Sequence, residues 1–256
     1  MISRTRNRPY KWTAKYYDLM FGPFVGVADA ARQAVVGPIL PRVRSACDLA
    51  CGSGTAAVKL ATMGIRTIAV DLSPGMCRLA REKALRAGVS IRVLRADMRS
   101  FRLPERVDLI TCEGDAINHV NHKADLAAVA KCAARALRAG GWFYFDVNNR
   151  AGFRRYWTGI WWNEKPGVVM VMRNGNDARK DRAWVDVEWF IGGGRGIWRR
   201  RHEHVEEVCW SAKEIRGVLE KAGFDRVLTR DAAPFFKSPL ITRGCRTLYL
   251  ARKAPV

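Results

Sequence analysis

A glycine-containing turn after the first apolar run is the part of the chain best suited to chemistry. The segment reads DLACGSGT from Asp48 to Thr55, with small residues at Ala50, Gly52 and Gly54. Glycines at such points let the backbone approach a ligand closely at the carboxyl end of a strand. The spacing fits neither the dinucleotide motif G-x-G-x-x-G nor a P-loop, because no Lys closes the turn. The turn therefore favours an adenosine that carries an amino-acid tail over a ligand with a pyrophosphate.

Acidic residues at the ends of the next two apolar runs extend this candidate site. Asp71 ends the second run, where an acid can accept hydrogen bonds from both hydroxyls of an unphosphorylated ribose. Its alternative role is that of an N-terminal acid ahead of the helix that begins at Ser73-Pro74. Asp97 and Met98 end the third run. A carboxylate can accept a hydrogen bond from an exocyclic amine while the thioether packs on the ring, which describes an adenine site.

An alternation of short apolar runs and helical patterns must position these residues. It predicts parallel strands joined by helices that cover both faces of one sheet. Two further runs, at 224–230 and 245–253, complete an α/β fold with a doubly wound, mostly parallel, seven-stranded sheet. The first five runs lie at 45–50, 66–72, 91–98, 107–114 and 141–148, and the helical patterns at 55–63, 74–87 and 122–139.

The alternation breaks after Asn149, where residues 150–210 predict a small antiparallel β insertion. Its hairpin turns are expected at Asn174–Asn176 and Gly192–Gly194. A helix follows from Ser211, because Glu214 three residues later makes a capping box. We therefore divide the chain into an N-terminal helical segment with the cofactor-binding core (1–149), an insertion that serves as a lid or oligomer contact (150–210), and a C-terminal helix with the last two strands (211–256).

Together these features resemble the class I S-adenosylmethionine-dependent methyltransferases, with a Rossmann-like fold, over about residues 10–150 and again at 222–224. The segment YYDLMF (16–21) resembles the head of the branch containing glycine and sugar-amine N-methyltransferases, in which a tyrosine reaches cofactor and substrate. One departure is Ala50, where the family usually has its first glycine. The resemblance rests on the turn, on Asp71, on Asp97-Met98, and on the phrases CEGDAINHV (112–120) and LRAGGWFYFDVN (137–148).

The resemblance implies methyl transfer from S-adenosyl-L-methionine to a nitrogen or oxygen of a small molecule (EC 2.1.1.-). S-adenosyl-L-homocysteine is the implied product, and no metal is required. The turn would line the methionine portion of the cofactor, Asp71 would hold the ribose, and Asp97-Met98 would hold the adenine. The cofactor-binding residues implied in this way are Asp48, Ala50, Cys51, Gly52, Gly54, Asp71, Leu72, Met76, Asp97, Met98 and Glu113.

Four residues are candidates for catalysis or substrate binding. By resemblance, Tyr17 is a lid residue at the substrate, although it could equally be a packing aromatic of an N-terminal helix. His119 is the acid/base candidate, because its ordinary pKa suits neutral pH; a surface or helix-start role is the alternative. Asn118 and Asn148 are expected to bind substrate, and Asn148 could instead cap the segment that follows it.

The charge of the chain suggests a rival function. The sequence holds 45 basic and 24 acidic residues, a net charge of +21, and such a protein attracts polyanions. An RNA-modifying methyltransferase is therefore the alternative. The arginines are dispersed, however, with one dense cluster at Arg199–Arg201, and a recognition patch should be more localised. No Asn-Pro-Pro-Tyr-like tetrapeptide or Pro-Cys nucleophile follows the fourth run, so nucleic acid is not the favoured partner.

The cysteines, the apolar runs and the tryptophans give expectations about the location of the protein and its assembly. Seven cysteines without a CxxC pair indicate reduced, cytoplasmic usage and no zinc site. His202 and His204 could bind a metal ion together, but the sequence offers no third metal ligand beside them. No apolar run reaches about 18 residues, so no membrane span is expected. The Arg-rich start of the chain leaves an organellar transit segment as an alternative. Seven of the nine tryptophans lie between 157 and 210. They could form a small core, a homo-oligomer interface or a substrate cage.

Overall fold

The computed structural model describes residues 10, 12–236 and 241–255, without the side chains of residues 23–27. Residues 1–9, which hold most of the segment considered as a transit sequence, lie outside the described residues. Within the described part of the chain, no helix has both the length and the apolar character needed to cross a membrane. No group of His, Cys, Asp and Glu side chains there is arranged to hold a metal ion.

The main sheet has seven strands, as the sequence predicts. The last strand lies between the fifth and the tenth and is antiparallel to both, whereas the first five strands pair with one another in parallel. Their bounds are β1 (Ser45–Leu49), β2 (Arg66–Asp71), β3 (Ile91–Arg95), β4 (Val107–Cys112), β5 (Leu137–Asn148), β10 (Phe224–Asp231) and β11 (Arg246–Lys253), in the spatial order β10-β11-β5-β4-β1-β2-β3.

Helices cover both faces of this sheet because alternate residues of its central strands are apolar on opposite sides. Cys47 belongs to a core with residues of the fourth and sixth helices, whereas its neighbour Ala46 packs with residues of the first two. The helices are α1 (Thr13–Val36), α2 (Thr55–Thr62), α3 (Pro74–Arg86), α4 (Lys123–Ala136), α5 (Arg150–Tyr156) and α6 (Ala212–Lys221), with 3-10 turns at Gly37–Arg42 and Ala116–His119.

The insertion forms a separate antiparallel sheet, which confirms the predicted hairpin set. Its inward face packs on α1, where Tyr16 stacks on the buried Trp189 with 5.7 Å between ring centroids. The capping box predicted at Ser211 is also confirmed, directly after this sheet. The strands are β6 (Ile160–Lys165), β7 (Val168–Asp177), β8 (Arg182–Gly192) and β9 (Trp198–Val208), in the order β6-β7-β8-β9.

One of the two predicted hairpin turns is wrong. Asn174–Asn176 lie inside β7, and the ladder to β8 continues through them to Asp177. Gly175 serves close packing instead, because a Cβ there would stand 2.4 Å from the ring of Trp184. The chain turns at residues 178–181, where Asp177 Oδ1 accepts hydrogen bonds from the backbone of Arg179 and Lys180. The second turn, predicted at Gly192–Gly194, does follow the end of β8.

The element bounds also differ from prediction around β5 and after it. β5 begins at Leu137, so α4 ends at Ala136 rather than near residue 139. The first residues of β5 pair with β4 through a register shift. This part of β5 contains glycines, so the sequence alone does not show that it is a strand. The short helix α5 and the strand β6 were not predicted. The division of the chain at residues 149 and 210 remains a prediction.

Candidate functional site

The turn after β1 adopts a conformation that ordinary residues rarely take. Gly52 and Gly54 have φ angles of +54° and +81°, and Ala50 shares the left-handed region at +54°. A Cβ on Gly54 would stand 2.7 Å from the Cβ of Ala80, so this glycine lets the turn pack on α3. A Cβ on Gly52 would instead lie 3.9 Å from the ring of Tyr17, an ordinary van der Waals distance. The turn thus presents bare backbone at the carboxyl end of β1, as a close-fitting ligand requires.

Asp71 is positioned to hold this turn. Its Oδ2 accepts a hydrogen bond of 2.9 Å from the backbone of Gly52, and its Oδ1 accepts one of 2.8 Å from Ser73. Burial raises the pKa of this carboxyl, and the backbone N–H groups of Ser73, Gly52 and Leu72 oppose that rise. An ionised carboxylate has about four acceptor positions, so Asp71 keeps acceptor capacity for two ligand hydroxyls. The residues around the turn therefore fit a ribose-containing cofactor.

Asp48, by contrast, supports the turn from within the core. Its Oδ2 accepts a hydrogen bond of 3.0 Å from the backbone of Ala57, and its Oδ1 accepts one of 2.9 Å from Thr111. Burial raises the pKa of Asp48 to about 6. These bonds tie the start of α2 to the neighbouring strand β4 and so fix the turn between them.

Helix α1 places Tyr17 over the turn. The Tyr17 hydroxyl lies 4.0 Å from the position that a Cβ on Gly52 would occupy. An ionic and hydrogen-bonded group fastens this part of α1: Ser53 donates to Asp18 at 2.6 Å, and Lys83 Nζ donates to Ser53 at 2.7 Å. Burial raises the pKa of Tyr17 to about 12, so its hydroxyl stays protonated near neutral pH. Tyr17 can therefore donate or accept a hydrogen bond there, without a phenolate.

A second ionic contact joins α1 to the end of β4. Arg32 Nη1 donates to both carboxylate oxygens of Glu113, at 2.8 and 2.9 Å, and Arg32 also pairs with Asp29. Burial raises the pKa of Glu113 to about 7, against the opposing effect of Arg32. The cofactor contact expected of Glu113 stays a prediction, and in the structure its carboxylate binds Arg32.

A cavity of about 580 Å³ lies between the turn, α1 and the inward face of the second sheet. Aromatic side chains of the insertion form part of its wall, among them Trp157, Trp161 and Trp162. The cavity brings together eight of the residues singled out from the sequence: Tyr17, Asp48, Ala50, Cys51, Gly52, Glu113, His119 and Asn148.

The other predicted residues do not line this cavity. Leu72 is exposed and Met76 is buried, while Gly54 packs on α3 and Asp71 bonds the backbone of the turn. Asp97 binds the side chain of Arg99, which lowers the pKa of the carboxyl, and Met98 packs at the edge of the core. Their contacts with the cofactor stay predictions.

Asn118 has a clear structural position of its own. Its side chain is fully buried, and its amide donates to the backbone oxygens of Asn148 at 3.1 Å and of Val208 at 2.9 Å. Its Oδ1 accepts a hydrogen bond from the backbone of Asn148. Asn118 thus joins the ends of β5 and β9 and does not line the cavity, and the substrate contact expected of it stays a prediction.

The cavity also contains a polar group that the sequence analysis missed. Arg246 of β11 donates to Asp146 and lies 3.8 Å from Asp115, and the Asn148 amide also donates to Asp115. Burial raises the pKa of Asp115, whereas Arg246 opposes that rise. These residues come from separate strand ends that only the folded sheet brings together. The DAINH segment was a visible signal for Asp115, but nothing local marks Arg246.

His119 is placed beside this group. Its Nε2 lies 2.9 Å from the hydroxyl of Tyr10, and the two rings meet edge to face. Burial lowers the pKa of His119, so the imidazole is neutral near pH 7. A neutral imidazole paired with a hydroxyl can exchange a proton at one nitrogen. The acid/base role of His119 stays a prediction.

The last missed residue is Glu207, on the inward face of β9. Its side chain is 4% exposed and lines the cavity. A signal was present in the sequence: Glu203 and Glu207 fall on the same face of the strand as Val205, which is unusual for a face that packs on a core.

The fold and the turn define a class of protein: a doubly wound α/β domain with a glycine-containing turn at the carboxyl end of its first strand, where such folds bind their ligands. Comparison with known proteins then shows what this chain is similar to. Residues 46–141 match a family described as a methyltransferase domain. YqeM of Bacillus subtilis, a putative methyltransferase, is 24% identical over 217 residues, which cover 84% of this chain and 86% of that protein.

Two solved structures share the fold. An S-adenosylmethionine-dependent methyltransferase from Clostridium acetobutylicum has a TM-score of 0.77 at 23% identity, covering 96% of this chain and 99% of that one. The sugar N-methyltransferase KedS8 from a Streptoalloteichus species has a TM-score of 0.75 at 22% identity, covering 99% and 96%. The chain thus has the domain and the Rossmann-like fold of the S-adenosylmethionine-dependent methyltransferases, which confirms the resemblance.

Proposed function

We propose that this protein transfers the methyl group of S-adenosyl-L-methionine to a nitrogen of a small-molecule amine. The observation that carries the proposal is the cavity of about 580 Å³, to which both the cofactor turn and the second sheet contribute. Its size and its aromatic wall suit a small organic acceptor rather than a polymer. The sugar N-methyltransferase with the same fold supports this class of acceptor.

The charge of the cavity favours an amine over a hydroxyl acceptor. Among the described residues, its wall holds five carboxylate side chains against three cationic ones, Arg32, Lys59 and Arg246. The protein as a whole carries +21, so the cavity has the opposite balance to the rest of the molecule. A cavity with surplus carboxylates attracts a cation, and aromatic walls add to that attraction. An aliphatic amine is a cation at neutral pH, whereas a hydroxyl acceptor is not.

The chain's own residues have separable tasks. Ala50, Cys51 and Gly52 would receive the methionine portion of the cofactor, and Asp71 would hold its ribose. When bound, S-adenosylmethionine supplies an electrophilic methyl group on its sulfonium. Tyr17 covers the turn and excludes water from it. Positioning an acceptor in the adjoining cavity can contribute about 7 to 11 kcal/mol at best. Assembly through the insertion and a cytoplasmic location remain predictions.

A label-transfer experiment tests the proposal. The protein is incubated with methyl-labelled S-adenosylmethionine and a cell extract that is then separated into RNA, protein and small-molecule fractions. We expect the label in amine-containing small molecules, with a rate that responds little to salt. Label in RNA, with binding that weakens steeply as salt rises, would establish the rival function instead. Label on a small-molecule hydroxyl would keep the methyltransferase and overturn the choice of nitrogen.

A further inference from the structure

Three glutamates are buried in the second sheet, and two of them have their charge compensated. Glu203 accepts hydrogen bonds from the backbone of Trp12 and Thr13, at 2.8 and 3.0 Å, and from the Trp189 indole at 3.1 Å. Glu188 accepts two hydrogen bonds from Arg200, at 2.6 and 2.7 Å. Both carboxylates are therefore satisfied within the fold.

Glu207 differs from these two glutamates. Its Oε2 is buried and has no hydrogen-bond partner among the residues that the structure describes. The side chain nevertheless lines the cavity beside Asn148, which bonds it, and beside Asp115. An unpartnered buried carboxylate oxygen destabilises the fold, so its retention here indicates a ligand.

The carboxylates around Glu207 outnumber the cations beside them. Asp115 and Asp146 contribute further carboxylates, and Arg246 is the cation closest to them. Nearby, Tyr10 and His119 are neutral, because burial raises the pKa of Tyr10 and lowers that of His119. The group therefore has three carboxylates and one guanidinium. Burial raises the pKa of Glu207 well above its ordinary value, and the negative charge of Asp115 raises it further.

We propose that Glu207 binds the ammonium group of the acceptor and takes one proton from it before methyl transfer. This rests on the proposed function. In the step, an N–H bond of the ammonium breaks and leaves its electron pair on nitrogen. The proton forms an O–H bond at Glu207 Oε2, so ammonium and carboxylate become a neutral amine and a neutral acid. The nitrogen lone pair is then free to attack, which a protonated nitrogen cannot do.

The surroundings of Glu207 suit this exchange. A general base works best when its pKa is brought toward the operating pH, and burial does this for a glutamate. Asn118 fixes the backbone of Asn148, and the Asn148 amide in turn bonds Glu207. The aromatic wall at Trp157, Trp161 and Trp162 can stabilise the same cation before it loses its proton.

The test measures binding of two probes of similar size, cyclohexylammonium and uncharged cyclohexanol, by calorimetry without cofactor. The proteins are wild type, Glu207→Gln, and Glu188→Gln as a matched buried glutamate outside the cavity. We expect the wild type to prefer cyclohexylammonium by about 10- to 100-fold, as for a hydrogen bond to a charged group. Glu207→Gln should lose this preference, whereas Glu188→Gln should keep it. Survival of the preference in Glu207→Gln would overturn the proposal.

Two further measurements separate this proposal from its alternatives. Glu207→Gln should keep the wild-type affinity for S-adenosylmethionine and should melt no lower than wild type, because the amide resembles a protonated carboxyl. If Glu207→Gln unfolds, the Glu207→Asp variant is measured in its place. Glu207→Asp should retain a weakened preference for the cation, and loss of that preference would also count against the proposal. If wild type prefers the cation but transfers no methyl group to small molecules, the proposed function fails while the Glu207 site stands.

Discussion

Replacing Asp71 with alanine should separate cofactor binding from the general stability of the fold. Asp71 holds the turn through Gly52 and keeps free acceptor positions for the two ribose hydroxyls. Hydrogen bonds to a charged group contribute about 1.5 to 3 kcal/mol each, so losing two of them should weaken binding by about 3 kcal/mol or more. We therefore expect Asp71→Ala to raise the Kd for S-adenosylmethionine by at least about 100-fold.

The matched control is Asp108→Ala at the opposite end of β1. Asp108 Oδ2 accepts hydrogen bonds of 2.9 Å from the backbone of Arg44 and Ser45, so it supports a turn much as Asp71 does. It lies far from the cavity along the strand. Both variants should melt below wild type, but Asp108→Ala should keep the cofactor affinity. Calorimetric titration with the cofactor measures this, and an Asp71→Ala affinity within threefold of wild type would refute the ribose assignment.

Three further expectations concern single residues of the site. Tyr17→Phe should lower kcat about 3- to 10-fold, as for one neutral hydrogen bond, without changing the shape of the pH–rate profile between pH 6 and 9. The two profiles should have the same shape because the pKa of Tyr17, about 12, lies above this range; an alkaline limb seen in only one of the two proteins would contradict it. The pKa of Glu113 is raised to about 7, so the native state holds its proton longer than the unfolded chain does. Between pH 5 and pH 7, the free energy of unfolding of the wild type, measured by urea titration, should therefore fall by about 2 kcal/mol relative to that of Glu113→Gln. If the two proteins show the same dependence of this free energy on pH, the reasoning is refuted. Ala50→Gly should raise the free energy of unfolding by about 0.5 to 1 kcal/mol, because alanine is strained at positive φ; a destabilised variant would exclude strain there.

The sequence reveals the cofactor half of the site because its signals are local. The turn from Asp48 to Thr55, and Asp71 at the next strand end, each depend on a few adjacent residues. Parallel strands then bring their carboxyl ends to one edge without further information. The wrong turn at Asn174–Asn176 shows the limit of local signals. Gly175 looks like a turn residue, yet its place is set by the Trp184 ring on the neighbouring strand.

The acceptor half could not be predicted in the same way. Glu207, Arg246 and Tyr10 come from three distant segments, and their chemistry arises from burial and from each other's charges. No spacing in the sequence encodes which buried carboxylate lacks a partner. Glu203 and Glu207 look alike on one strand face, and only the fold shows that the first is satisfied and the second is not.

Helix α1 links the two halves of the cavity. The second sheet holds the start of α1, because Glu203 accepts hydrogen bonds from the backbone of Trp12 and Thr13. The cofactor side holds its later turns, through Lys83 with Asp18 and through Arg32 with Glu113. A displacement of α1 that exposes the turn must therefore break contacts with the acceptor sheet as well. We therefore expect cofactor entry and acceptor entry to be coupled through one helix, because both depend on contacts that α1 makes.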